Sequence, residues 1–361
     1  MAVLAATGLE SQAIATRLVS GDPGLAVPGA LVLLTDTLGH ELGRVLTDES
    51  GRIGFGTLAP GVYRLRVLRI GYQRWESHPF ALAAGDTLTR AIVVPQQPIV
   101  LAGLEVKAER QCRVHPAEGS LAATLWDEAR KAMEATAYTE SHRLYRFQTT
   151  LYTRSYDRSG TQVLAEERRP GTGWNAWPWS ALPPESVAVH GFIQFDSAGA
   201  ATYHGPDLGV LFSDEFLDRH CLGVREPAPS ARDPLIGVAF EPVRSRGRHP
   251  VDIAGVLWLR RQSTELVSLE FTYADHGGWL VYGAGGSLAF DRLPSGAWVI
   301  RQWSIRAPRL RVVARTDTVG VAGYREEGAQ VLQVLTAAGR PVVSYPLTSS
   351  PSTASDRTPP R

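Results

Sequence analysis

The chain has 361 residues, enough for two or three domains with their own cores, and carries 37 Lys and Arg against 36 Asp and Glu. A net charge of +1 creates no global field for nucleic acid or an acidic partner, so neither is expected. No apolar run approaches the ~20 residues that a helix needs to cross a bilayer, so no transmembrane segment is expected.

Residues 1–15 begin with Ala2-Val3-Leu4-Ala5-Ala6 and reach Ser11-Gln12-Ala13, a short apolar stretch followed by small residues. This looks like the remnant of a secretory signal peptide with its cleavage site, without the basic segment that normally precedes one. A frayed terminus is the alternative reading. No cysteine lies nearby, so a lipid anchor is not expected.

Residues 16–96 read as short strands separated by turn chemistry. Pro28-Gly29-Ala30 turns the chain into the apolar run Leu31-Val32-Leu33-Leu34. Thr47-Asp48-Glu49-Ser50-Gly51-Arg52 is a polar turn that feeds Ile53-Gly54-Phe55. Pro60-Gly61 turns again, because Pro presets one backbone angle and Gly accepts the angle that others avoid. Tyr63, Leu65 and Val67 then alternate with Arg64, Arg66 and Leu68, the period of a strand buried on one face. Strands at this spacing predict an antiparallel sandwich.

The order of Pro28-Gly29-Ala30, Thr47-Asp48, Gly51, Phe55, Leu58, Pro60-Gly61-Val62-Tyr63 and Gly71-Tyr72 resembles the carboxypeptidase regulatory-like domain, a transthyretin-like Greek-key sandwich. The resemblance implies an accessory module of the cell envelope, found beside peptidases and at the front of outer-membrane receptors, with no catalytic residues. Residues 97–111 follow as a linker and strand, with Leu104-Glu105-Val106-Lys107-Ala108 as the strand. This join is similar to the passage from sandwich to plug in TonB-dependent receptors. The remaining chain is too short for their 22-stranded barrel, which leaves an accessory partner of such an uptake system as one reading.

Residues 112–345 are expected to form an α+β domain. Leu121, Leu125, Ala129, Met133 and Thr136 recur at helical spacing, which predicts a helix from Ser120, its N-cap, to Tyr138. Asp127, Glu128, Lys131 and Glu134 fall on its other faces, with Asp127 and Lys131 spaced for a weak surface ion pair. Many strands follow, among them 145–151, 267–273 and a hairpin over 286–306 turning at Pro294-Ser295-Gly296. The expected class is therefore mainly β: the sandwich, then one helix with a curved antiparallel sheet. Gly255 to Leu259 and Glu265 to Glu270 resemble the paired strands of outer-membrane lipoprotein carriers, whose half-open barrel holds acyl chains. Thr348 to Arg361, within a tail over residues 346–361, has the Ser/Thr/Pro composition of disorder.

Several constellations are candidates for chemistry. His115 and Glu118 have the His-x-x-Glu spacing of zinc carboxypeptidases, and His220 lies downstream as a third ligand, so a zinc hydrolase is one alternative. The entry to the helix is the competing reading of His115 and Glu118. The run from Tyr203 to Cys221 holds two histidines, acids and a thiol, yet its spacing fits no metal loop, and a short helix Asp214–Arg219 capped by Ser213 is expected there. No nucleophile elbow is present, and Gly285-Gly286-Ser287 opens a strand. No cofactor is expected. Trp174, Trp177 and Trp179 stand in one loop, either as a stacking platform for a ligand or as a plug on the core. Cys112 and Cys221 are a disulfide pair or two buried thiols, and the envelope setting that the resemblance implies favours the disulfide. The reading reached is a non-enzymatic, exported binding or scaffolding protein, periplasmic or outer-membrane associated. Its partner would be a small molecule, a lipid, a glycan or an envelope protein.

Overall fold

The computed structural model describes residues 12–21, 24–95, 97–99, 111–112, 120–176, 182–197, 199–227, 234–243, 250–274, 278–313 and 318–347. The chain divides into two compact units, Met1–Val100 with Arg292–Trp298, and Leu101–Asp291 with Val299–Arg361. His115, Glu118, Trp177, Trp179, the strand expected over 104–108 and the tail from Thr348 lie outside the described residues.

The first unit is a two-sheet sandwich. β1 (Gln12–Ser20), β4 (Arg52–Leu58), β8 (Thr87–Leu88) and β9 (Ile92–Val94) form one sheet, in which β1 pairs antiparallel with β4 and parallel with β8 and β9. β2 (Leu31–Thr35), β3 (Glu41–Leu46), β5 (Gly61–Leu68), β6 (Trp75–Glu76) and β7 (Phe80–Leu82) form the other. β1 starts inside the stretch read as a leader remnant, and Gln12 and Ile14 are buried. The alternation in β5 does what its period requires. Tyr63, Leu65 and Val67 enter the core, while Arg64 and Arg66 reach Glu76 at 3.2 and 3.6 Å.

Two turns are fixed by specific bonds. The buried Thr47 hydroxyl accepts from the Ala30 N–H at 2.9 Å and donates to the Val27 carbonyl at 2.7 Å, which pins the 27–30 turn to the core. Asp48 accepts from the Ser50 and Arg52 N–H groups, and Gly51 adopts φ 73°. A Cβ at Gly51 would lie 2.4 Å from the Leu18 carbonyl oxygen, so glycine is required twice over, for angle and for space. Residues 97–99, expected as the start of a linker, hydrogen-bond back to Gly71 and Gln73.

The second unit is built on one long antiparallel sheet. Its strands are β10 (Gln111–Cys112), β11 (Tyr145–Tyr156), β12 (Val163–Gly173), β15 (His220–Arg225), β16 (Leu235–Pro242), β17 (Asp252–Arg260), β18 (Leu266–Ala274), β19 (Gly285–Arg292), β20 (Trp298–Val313), β21 (Thr318–Thr336) and β22 (Pro341–Ser344). The order is β10-β15-β16-β17-β18-β19-β20-β21-β11-β12, with β22 also on β21. Thus β11, the first long strand, closes against β21, near the end of the chain. β13 (Ile193–Phe195) and β14 (Ala201–Tyr203) make a separate hairpin.

Helix α1 (Leu121–Ser141) packs on β15 to β18. The Ser120 hydroxyl caps it by accepting from the Ala123 N–H at 3.2 Å, as the sequence predicts. Among the described residues there are also shorter helices, α2 (Pro184–His190), α3 (Leu208–Leu211) and α4 (Asp214–Leu217), the last on the run expected to be helical from Asp214. α4 is capped by Ser213, whose hydroxyl accepts from the Phe216 N–H at 3.2 Å. Trp126 projects from α1 into an aromatic cluster with Phe212, Phe216 and Phe240, at centroid distances of 5.1, 6.3 and 5.9 Å.

The charged face of α1 departs from expectation. Glu128 is fully buried and Lys131 nearly so, where the sequence placed both toward solvent. The Lys131 ammonium pairs with Glu128, lies 3.5 Å from Asp127, and Glu128 accepts from the Thr264 hydroxyl at 3.1 Å. The helix is enclosed on more sides than a single apolar stripe implies, and two opposite charges three residues apart go inside as a mutually neutral pair. Thr264 is itself held at φ 53°, a costly angle for a β-branched residue, in the turn between β17 and β18. Removing one partner leaves a buried charge unpaired. Lys131→Met alone is therefore expected to destabilise the unit by about 3–5 kcal/mol, and Glu128→Leu with Lys131→Met together by much less. Urea unfolding midpoints of both variants check this.

Candidate functional site

The sequence-marked polar residues are largely consumed by structure. His220 is buried, with Nδ1 2.8 Å from the Phe216 carbonyl and Nε2 3.1 Å from the Ile253 carbonyl. Its ring stacks on Phe216 at 3.7 Å. Both nitrogens are turned to core carbonyls, so neither offers a lone pair to a metal. In the run before it, Asp207 caps α3 by accepting from the Val210 N–H at 2.9 Å, and burial raises its pKa. Tyr203 and Tyr273 donate to the carbonyls of Leu280 and His204, and burial lowers the His204 pKa. Among the described residues no group of three or more His, Cys, Asp or Glu is placed to hold a metal ion.

Beside His220 stands Asp252, 3.4 Å from Nε2 and 3.7 Å from the Arg219 guanidinium. Burial works to raise its pKa. The hydrogen bond and charge of His220, the charge of Arg219 and the Ile253 N–H outweigh burial and hold the carboxyl below its ordinary value. Cys221, next in sequence, is joined to Cys112 across β10 and β15, where the two are register partners.

A different place offers space. A cavity of about 140 Å³ opens among Thr149 and Leu151 of β11, Ile300, Arg301 and Trp303 of β20, Ala329 and Val331 of β21, and Asn175 and Ala176 after β12. The strands set its floor. Trp303, Ala329 and Leu151 lie side by side across β20, β21 and β11, and Thr149 sits opposite Val331. Paired residues share a face, so these side chains line one surface. The Ala176 N–H donates to Glu140 at 3.1 Å, which ties the covering loop to the end of α1.

Of the three tryptophans marked as a platform, Trp174 is half-buried beneath the Arg146 guanidinium, 5.5 Å from the ring centroid. It immediately precedes Asn175 and Ala176, which line the cavity. Arg301 and Trp303 were not singled out. Their signal is an alternation of large and charged residues along one arm of the predicted 286–306 hairpin, which by itself also describes an ordinary strand.

Residues 14–95 match the carboxypeptidase regulatory-like domain family. No curated protein matches the chain. Among solved structures, a group B streptococcus pilus 2b backbone protein is similar at 16% identity, over 24% of this chain and 41% of its own, with a TM-score of 0.22. The Klebsiella pneumoniae 5-hydroxyisourate hydrolase is 18% identical over 24% of this chain and 86% of its own, TM-score 0.20. BcpA, the major pilin subunit of Bacillus cereus, is 12% identical over 94% of this chain and 93% of its own, TM-score 0.21. Scores this low carry no argument. The family match concerns a regulatory-like module, and no catalytic arrangement is found among the described residues.

Because the folded pKa of Asp252 is depressed, its stabilisation is fully present above its unfolded value, near 3.8, and is lost as pH falls through the lower folded value. Acid unfolding of the native chain should therefore steepen below pH about 4. Asp252→Asn should be less stable at neutral pH and should lose that part of the acid slope, as read by circular dichroism from pH 7 to 2.

Proposed function

We propose that the protein is a non-enzymatic binding protein of the bacterial cell envelope, and that the second unit holds a small molecule on the face shared by β11, β20 and β21. The observation that carries this reading is the cavity of about 140 Å³, whose lining sets the polar groups of Thr149, Asn175, Arg301 and Trp303 beside apolar side chains in about equal share. The regulatory-like module at residues 14–95 supports an envelope setting, and so does the Cys112–Cys221 bridge, since disulfides persist in oxidising compartments. No helix among the described residues is long and apolar enough to cross a membrane. The placement of His220 between two carbonyls argues against the zinc-hydrolase reading.

The mixed lining favours an amphipathic ligand over a bare glycan. Five of its side chains, Leu151, Ile300, Ala329, Val331 and Ala176, offer no hydrogen bond to a sugar hydroxyl. Native mass spectrometry of protein purified gently from an envelope fraction tests the reading. The expected result is a complex heavier than the chain by one small molecule, lost in Ala329→Leu, which fills the floor between Trp303 and Leu151. A bare chain mass in every preparation would contradict the reading and leave a scaffolding role.

A further inference from the structure

The cavity has a charge as well as a volume, and the charge narrows the ligand. Among the described residues its lining contains one arginine and no acid. Arg301 is half-buried, and among the described residues it makes no ion pair, its guanidinium lying 5.9 Å from the centroid of the Tyr345 ring. Among the half-buried or buried arginines of this unit, Arg306 rests on the Tyr156 and Tyr324 rings and the Gly160 carbonyl, while Arg154 and Arg130 meet acids. Arg154 meets Glu166 at 2.8 Å and Glu326 at 3.4 Å, and Arg130 meets Asp127 at 2.5 Å and Glu134 at 2.7 Å. Asp291 acts on the Tyr345 hydroxyl, whose ring Arg301 approaches, so one acid lies in the neighbourhood, and a bound anion would give the guanidinium a direct charged partner.

The rest of the lining says what the anion is attached to. Across the row from Trp303 to Leu151, the middle residue is Ala329, so the floor is sunk between two large side chains. At the neighbouring pair, Thr149 faces Gly171 of β12. A Cβ at Gly171 would stand 2.6 Å from the Thr149 hydroxyl and 2.9 Å from Leu151 Cδ1, so any larger residue would push these lining side chains aside. A cavity of about 140 Å³ has room for a body of about six heavy atoms. Thr149 and Asn175 add neutral polar groups to the lining.

We infer that this pocket binds a monocarboxylate with a compact apolar body: the body lies on Trp303, Ala329 and Leu151, and the carboxylate pairs with Arg301. This rests on the binding-protein reading and specifies its ligand class. A bidentate guanidinium–carboxylate contact fixes the head, and the non-directional apolar floor tolerates variation in the tail.

The test is a calorimetric titration of the full chain with hexanoate at neutral pH, with 1-hexanol as the uncharged control of the same length. Hexanoate should bind more tightly than hexanol. Arg301→Gln should weaken hexanoate about ten- to a hundred-fold, the worth of one charge-assisted contact, and weaken hexanol far less. Retained hexanol binding also shows that this variant folds. Ala329→Leu should weaken both probes. Equal affinity for the two probes, or an Arg301→Gln variant that binds hexanoate as well as the native chain, overturns the carboxylate assignment and leaves the pocket standing for a neutral ligand. Absence of hexanoate binding in the native chain also overturns it. If Ala329→Leu further fails to change the mass retained from the envelope, the pocket reading itself falls.

Discussion

The second unit is governed by a mismatch between one helix and one sheet. The 21-residue helix α1 packs on four neighbouring strands, β15 to β18, while the sheet runs ten strands in order. Packed on β15 to β18, α1 leaves the side of the sheet built from β20, β21 and β11 to be covered by something else. Part of that cover is the loop after β12, held to the helix end through Ala176 and Glu140. The described start of that loop, Asn175 and Ala176, lines the cavity over Ala329. The opening is thus a consequence of the topology, and the residues beneath it decide its use.

The same enclosure explains why charges are found inside. Around α1 the side chains have little room to reach water, and the unit answers with paired groups: Glu128 with Lys131 and Thr264, and Asp252 with His220 and Arg219. In a low dielectric each pair is strong only while both members are present. These clusters look like chemistry in a sequence, with histidines, acids and a thiol close together. In the fold their donors and acceptors face one another or the backbone. Arg301 instead shares a cavity wall with apolar and neutral polar groups, and it makes no ion pair among the described residues.

Much of the architecture was legible from local pattern. The inward Tyr63, Leu65 and Val67, the Ser120 cap and the Ser213 cap each follow from interactions within a few residues, and local periodicity reports such interactions well. The burial of Glu128 and Lys131 was not legible, because an ion pair three residues apart has the same spacing on a wet face and inside a core. The pocket was not legible either. Its floor joins residue 151 to residue 329 through the pairing of β11 with β21, and register between strands so far apart leaves no trace in either segment alone. Trp174 gave a partial signal, since a loop tryptophan marks a place where the chain covers something apolar. Its neighbours Asn175 and Ala176 line the cavity.

A crystal structure of the protein purified from its native envelope, with no ligand added, tests the central claim most directly. The account predicts continuous density lying on Trp303 and Ala329, with its polar end against the Arg301 guanidinium. A pocket closed by its own side chains, with Leu151 and Trp303 in contact over Ala329, would contradict it.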